Sequence, residues 1–255
     1  MVKSRKYTRR RAKPTKPRRS RQKGGTKKHT NLFKDAYTIT LPSHPYRWEE
    51  MNRQAKEAGI HLQKWNGVVI KKEDIHTLPQ LGVGTTNFKN RNGNIINLGV
   101  IGAYLAHRNL YDHIMKTADD TKATFISEDD IHITPDFHEK LLALEDEIQA
   151  HASDWDMLFL DKNTPTIQGK KVSEHLIKLD KDMTATKNWG IWSYIVRNAS
   201  IRSKIRPCME HMIDVPDIHL AKFADKINMY VITPPITYGH PGIGAKSIVT
   251  ELESK

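Results

Sequence analysis

The stretch Ala123-Thr124-Phe125-Ile126-Ser127-Glu128-Asp129-Asp130 constrains this chain more than any other. Its apolar half reads as a buried strand, and it stops abruptly in three consecutive carboxylates. Three like charges side by side are unfavourable unless something positive meets them. Side chains alternate along an extended chain, so Glu128 and Asp130 can point the same way from a strand end. In α/β proteins that end is where ligands collect. The acids therefore read either as a divalent-metal site beneath a phosphate-bearing substrate, or as a solvated turn favouring the N-terminus of the next helix.

The surrounding pattern supports a sheet with helices on both faces. Residues 36–41 read as a strand, followed by a Pro-Ser-His-Pro turn at 42–45 and a helix over 47–57 that stops at Gly59. Short apolar pieces at 62–65 and 68–70 read as a second strand and its continuation, and the Gly- and Asn-rich residues 82–94 as a mobile loop. Helical spacing runs over 98–116, with His107 and Arg108 inside it, and again over 135–151; residues 155–160 form another strand. Strand, helix, strand, helix, strand argues for a three-layer α/β/α sandwich. Further on, 172–179, 191–196 and 229–232 read as strands, and 199–212 and 216–224 as helices. Residues 233–247, rich in Pro and Gly, read as a loop able to cover a site but not as a regular element.

A formal net charge of +12 suggests nucleic acid until its distribution is considered. Residues 1–30 hold 14 of the 41 Lys and Arg and no acid, which leaves 27 basic and 29 acidic side chains on residues 31–255. The chain thus divides into a disordered basic tail, 1–30, and one folded domain, 31–255. The tail fits contact with a polyanion such as nucleic acid or an anionic surface. The single Cys208 excludes an intramolecular disulfide, suits a reducing compartment and reads as a small core residue rather than a nucleophile. No run is long enough to span a membrane, and the N-terminus lacks the apolar core of a secretory signal; the expected location is cytoplasmic, or the host cytoplasm or virion for a viral protein.

Four landmarks, in order, resemble glycosyltransferase family 25, the bacterial lipopolysaccharide and collagen hydroxylysine galactosyltransferase group. Ile39-Thr40-Leu41 with Pro45 and Arg47 resembles its opening strand and Arg-rich turn. Gly99-Val100-Ile101-Gly102-Ala103 with Ala106-His107 is similar to its Gly-Glu-Ile-Gly-Cys and Ser-His helix start. Phe125-Ile126-Ser127-Glu128-Asp129-Asp130 looks like its Leu-Glu-Asp-Asp segment, and Trp155-Asp156 with Leu158 and Leu160 like its Trp-Asp strand. The resemblance covers about Ala36 to Ile248. The chain departs from the pattern at Thr40-Leu41-Pro42-Ser43-His44, where the family carries Asn-Leu-Asp-Arg-Arg, at Val100, and at Val215-Pro216-Asp217, which inverts a Pro-Val-Asp order.

The resemblance implies a GT-A type, Rossmann-like fold with a mixed sheet. It also implies a metal-dependent inverting hexosyltransferase that moves galactose or glucose from a UDP-sugar to a hydroxyl of a glycan, lipid-linked sugar or protein. Oxygen ligands suit Mn²⁺ or Mg²⁺, which would neutralise the departing diphosphate. Asp130 is the candidate direct metal ligand, with Glu128 as a second ligand or, with Asp129, a ribose or metal-water contact; His240 is a hypothetical further ligand or a loop histidine without a role. Asp217 is the candidate general base, or a helix-start acid; Asp214 and Asp156 are fallbacks, Asp156 with a structural reading. Arg47 reads as a phosphate contact or a surface helix residue, and His107 as a residue that orders the helix beside the site or a core histidine. Trp189 is the aromatic candidate for packing on a sugar ring, whereas Trp192 reads as core. Two other functions stay open: an inactive transferase fold acting as a nucleic-acid-binding or virion structural protein, and a metal-dependent phosphoesterase. The second lacks a further acidic cluster suited to a two-metal site.

Overall fold

The computed structural model describes residues 29–84, 98–162, 167–180 and 190–239. Its centre is an eight-stranded mixed sheet in the order β2 (Gln63–Asn66), β1 (Asp35–Thr40), β3 (Ala123–Glu128), β8 (Ser193–Arg197), β5 (Met157–Phe159), β9 (Met229–Ile232), β7 (Leu176–Lys178), β6 (Lys170–Lys171). β8 and β7 run against their neighbours, and β2, β1, β3, β5 and β9 share one direction. The ends of β1, β3 and β5 therefore open on one edge of the sheet, where β8 begins.

Alternation along each strand builds two cores. Tyr37, Ile39, Ile126, Met157, Phe159, Tyr194, Val196, Met229 and Val231 face one side, under helix α2 (Leu98–Thr117). Ala36, Phe125, Leu158, Leu160, Ile195, Tyr230 and Ile232 face the other, under α1 (Pro45–Ala58) and α3 (Phe137–His151). Strands buried on both faces need apolar residues at successive positions, which is why they read as short unbroken apolar runs. The three-layer α/β/α arrangement and the mixed sheet are as expected. Pro45 starts α1 with a ring suited to the first helical turn, and Gly59, at φ 79°, closes it by donating its N–H to the Ala55 and Lys56 carbonyls.

Several expectations are corrected. Residues 68–70 do not extend β2; a 3₁₀ segment, Lys72–Leu81, follows instead. The single helix expected over 199–212 is an α–π–α run, Asn198–Ser200, Ile201–Ile205 and Arg206–Cys208. The next helix is shorter than expected, Pro216–Ala221. Part of the Pro/Gly segment is regular after all: Thr237–Gly239 forms β10, antiparallel to β4 (Ile131–Ile133) in a small second sheet. Three residues suffice for such a ladder, and Ile131 and Ile133 are buried around an exposed His132. The last two residues of the stretch read as a tail belong to the described structure. His29 and Thr30 pack on α3, the His29 ring 4.5 Å from that of His138, while Thr30 donates its N–H to His138 Nδ1 at 3.3 Å and its hydroxyl to Glu145. Residues 1–28, and 85–94 of the expected mobile loop, lie outside the described residues. Among the described residues, no helix is long and apolar enough to cross a membrane.

Candidate functional site

β3 carries the acids to the open edge between β1 and β8: Ile39 pairs with Glu128 across the sheet, and the Glu128 N–H donates to the Trp192 carbonyl at 2.7 Å. Asp129 and Asp130 form a turn, and β4 begins at Ile131. β4 is tied to α1, because the Ile133 N–H donates to Gln54 Oε1 at 2.7 Å. The same helix supplies Arg47, whose Nη1 lies 3.2 Å from Asp129 Oδ1 and 4.0 Å from Asp130 Oδ2. Arg47 is buried rather than a surface helix residue, and it is the cation that meets the acid turn.

These groups share a cavity of about 210 Å³. Its polar lining includes Glu128, Asp129, Asp130, Arg47 and His107, and its apolar lining Ile39, Leu41, Val68, Val69, Ile70 and Leu98. A slot that combines an apolar lining with a few convergent polar groups is the usual form of a small-molecule site. Burial, and then the neighbouring Glu128 and Asp129, push the Asp130 carboxyl up to about 7. Asp129 Oδ2 and Thr40 Oγ1 are buried without a hydrogen-bond partner among the described residues, and both residues line the cavity. Such atoms are rare in folded proteins and call for a ligand, ion or water.

The acid turn fits a hard divalent cation in donor type, in its unpartnered Asp129 oxygen and in its surplus of negative charge. Among the described residues no group of three His, Cys, Asp or Glu is placed to hold an ion by itself. A cation here would take one or two of these carboxylates and complete its shell from phosphate and water, the usual mode for Mg²⁺.

His107 is fully buried on α2 and joins the two readings given for it. Its Nε2 lies 3.4 Å from Glu128 Oε1 and its Nδ1 2.9 Å from the Tyr194 hydroxyl. It is a core histidine in contact with one of the acids.

Among the described residues, the other candidates do not line the cavity. Asp217 sits at the start of the Pro216–Ala221 helix, where Oδ1 accepts the Ile218 N–H and Oδ2 accepts the Gly190 N–H at 2.8 Å. Gly190 leads into β8, so Asp217 borders the same edge of the sheet as the acids. Asp214 is taken up by Lys222 at 2.6 Å. Asp156 is structural: at the far end of β5 it accepts from the Ser200 hydroxyl, Lys204 and the Asn228 N–H. Trp192 is partly buried and packs against the core beside Gly239. Trp189 and His240 lie outside the described residues.

The sequence reading passed over Asp161 and Lys162, although they follow the apolar run of β5 just as Glu128–Asp130 follow that of β3. Lys162 is buried, donates to the Gly190 carbonyl at 2.7 Å and stands 3.7 Å over the Phe159 ring. Asp161 Oδ2 accepts the Gly239 N–H at 2.6 Å. The pair thus pins the approach to β8 and the end of β10. The strand-end rule, applied to every strand, would have found it.

Comparison with known proteins bears on this arrangement. The family model described as glycosyltransferase family 25 (LPS biosynthesis protein) matches residues 33–204, a span that contains Arg47, His107 and all three acids. The crystal structure of the apo-form glycosyltransferase GlyE of Streptococcus pneumoniae TIGR4 is similar over 77% of this chain at 13% identity, with a TM-score of 0.37; the match spans 45% of that structure's chain. No match is found among curated proteins. On the extent of the family match, the chain belongs to glycosyltransferase family 25.

Proposed function

We propose that the cavity binds a UDP-sugar and that the protein transfers its hexose, galactose or glucose, with inversion to a hydroxyl of a glycan, lipid-linked sugar or protein. The observation that carries this reading is the acid turn at the end of β3, which lines an apolar slot and holds an unpartnered buried Asp129 oxygen. The apolar wall of 68–70 and Leu98 suits the nucleoside, and the acid turn suits the diphosphate end.

Asp130 and Glu128 would hold Mn²⁺ or Mg²⁺, and the bound cation would neutralise charge on the departing diphosphate. Arg47 holds Asp129 in place and keeps positive charge at the turn. Asp217 is the proposed base, since both its carboxylate oxygens keep lone pairs beyond the N–H groups they accept. In the transfer, the acceptor oxygen forms a bond to the anomeric carbon as the bond to the diphosphate breaks, and the acceptor proton passes to Asp217. Asp214 is less suited, being neutralised by Lys222.

The test is hydrolysis of several UDP-sugars without acceptor, with and without Mn²⁺ or Mg²⁺, for the wild-type chain and Asp130→Ala. Metal-dependent turnover that falls at least about a hundredfold in the variant is expected, in keeping with the loss of a charge-stabilising group. The same metal-independent background in both proteins would sink the reading.

A further inference from the structure

We propose that Tyr194 is a positioning residue for Glu128, acting through His107 by fixing which ring nitrogen carries the proton. This rests on the reading of Glu128 as a group that meets metal or nucleotide. The observation is a buried file of hydrogen bonds: Tyr111 hydroxyl to Tyr194 hydroxyl at 2.7 Å, Tyr194 hydroxyl to His107 Nδ1 at 2.9 Å, and His107 Nε2 to Glu128 Oε1 at 3.4 Å. Tyr111, Tyr194 and His107 are all 0% exposed, and Glu128 borders the cavity.

Each phenol has one proton to give, and the uncharged imidazole has one N–H. The file therefore has two polarities, and a ring protonated on both nitrogens would share the second, since its Nδ1–H must donate to Tyr194. In one, Tyr111 donates to Tyr194, Tyr194 donates to Nδ1, and Nε2–H donates to the Glu128 carboxylate; every buried donor finds an acceptor. In the other, Nδ1–H donates to Tyr194, which donates to Tyr111. The Nε2 lone pair then faces a carboxylate, and the Tyr111 proton has no acceptor among the described residues. An unmet buried donor and a lone pair against an anion both oppose that arrangement. The first polarity follows, and it points the whole file at one oxygen of Glu128. Burial also holds the Tyr194 hydroxyl well above its ordinary pKa, so the proton it donates stays in place.

Phenylalanine at both tyrosine positions would fill the same space in the larger core. The Tyr194 hydroxyl and an imidazole there need a reason beyond packing. Orienting a carboxylate that must meet a cation supplies one, since partners of this kind tune the ligands they touch.

The experiment uses the full chain labelled with ¹⁵N at histidine, together with Tyr194→Phe and Tyr111→Phe. In the metal-free wild type, His107 is expected to show a protonated Nε2 and an unprotonated, hydrogen-bonded Nδ1 by nitrogen NMR. Tyr111→Phe leaves the Tyr194 donor intact and should keep that signature, with Mn²⁺ affinity in the presence of UDP within about twofold of wild type. Tyr194→Phe should shift the Nδ1 resonance and weaken Mn²⁺ about tenfold, the scale of such supporting partners. A protonated Nδ1 in the wild type would overturn the proposal, as would equal effects of the two variants, because a packing role affects both hydroxyls alike. If Mn²⁺ does not bind the wild type, the metal reading fails while the nitrogen signature still decides the polarity of the file.

Discussion

Lys162 shows what a single side chain reveals when its burial is unfavourable. Burial pulls its ammonium down to about 8, with Asp217 and then Asp161 opposing the shift. The folded-state value lies below that of an exposed lysine, about 10.4, so the native state binds its proton less readily than the unfolded chain. Stability therefore rises with pH between about 8 and 10.4, and the full penalty applies below that window. Replacing Lys162 with Met should raise stability at neutral pH by about 2 kcal/mol, after allowance for the lost bond to the Gly190 carbonyl. The gap from wild type should close as pH is raised from 8 toward 10 in thermal melts. A variant that melts lower than wild type at neutral pH would show that the Gly190 clamp outweighs the desolvation. At this scale the sequence was legible where residues are neighbours: Glu128, Asp129 and Asp130 announce themselves by crowding. The Arg47 pairing and the file behind His107 were not, because their partners are far apart in the chain and meet only once the sheet and α2 are assembled.

Among the elements, α2 is the one whose placement shapes the slot. A Cβ on Gly102 would lie 2.2 Å from the Val68 carbonyl oxygen, so the helix rests its backbone directly on the loop that forms the apolar wall. Gly102→Ala must push the two apart. A loss of about 1–3 kcal/mol in stability is expected, as for overpacked sites, together with weaker UDP binding by titration; an unchanged melting temperature and UDP affinity would contradict this packing. The strands and long helices were legible because their periodicity and length are local properties. The β4–β10 ladder was not, since the alternation of Ile131, His132 and Ile133 is too short to signal a strand and its partner sits among prolines. The π turn at Ile201–Ile205 has no local signature either, and the apolar spacing around it reads equally well as one continuous helix.

For the whole molecule, most of the surplus positive charge lies ahead of the described residues, which begin at His29. Thr30 and Phe33 hold the start of the described chain against α3 and its neighbours, through Glu145, His138 and the Phe125 and Phe137 rings, and the Leu32 N–H donates back to Thr30 Oγ1. Deleting residues 1–28 should leave the melting temperature and sugar turnover unchanged and abolish any salt-sensitive retention on nucleic acid; deleting through Phe33 should lower the melting temperature. Loss of turnover in the shorter deletion would show that tail and body do not act separately. The overall layering was legible because strands and helices alternate, whereas the closure of the site was not. Asp129 and Asp130 are held between β3 and β4, and β4 finds its ladder partner in Thr237–Gly239, roughly a hundred residues later, a long-range pairing of the kind that forms slowly. During synthesis, then, Arg47 and Gln54 of α1 can hold the acid turn and β4 before the ladder forms. The residues that line the slot all fall between Ile39 and Asp130, yet the ladder that fixes β4, the strand just after the acid turn, can form only once β10 has left the ribosome.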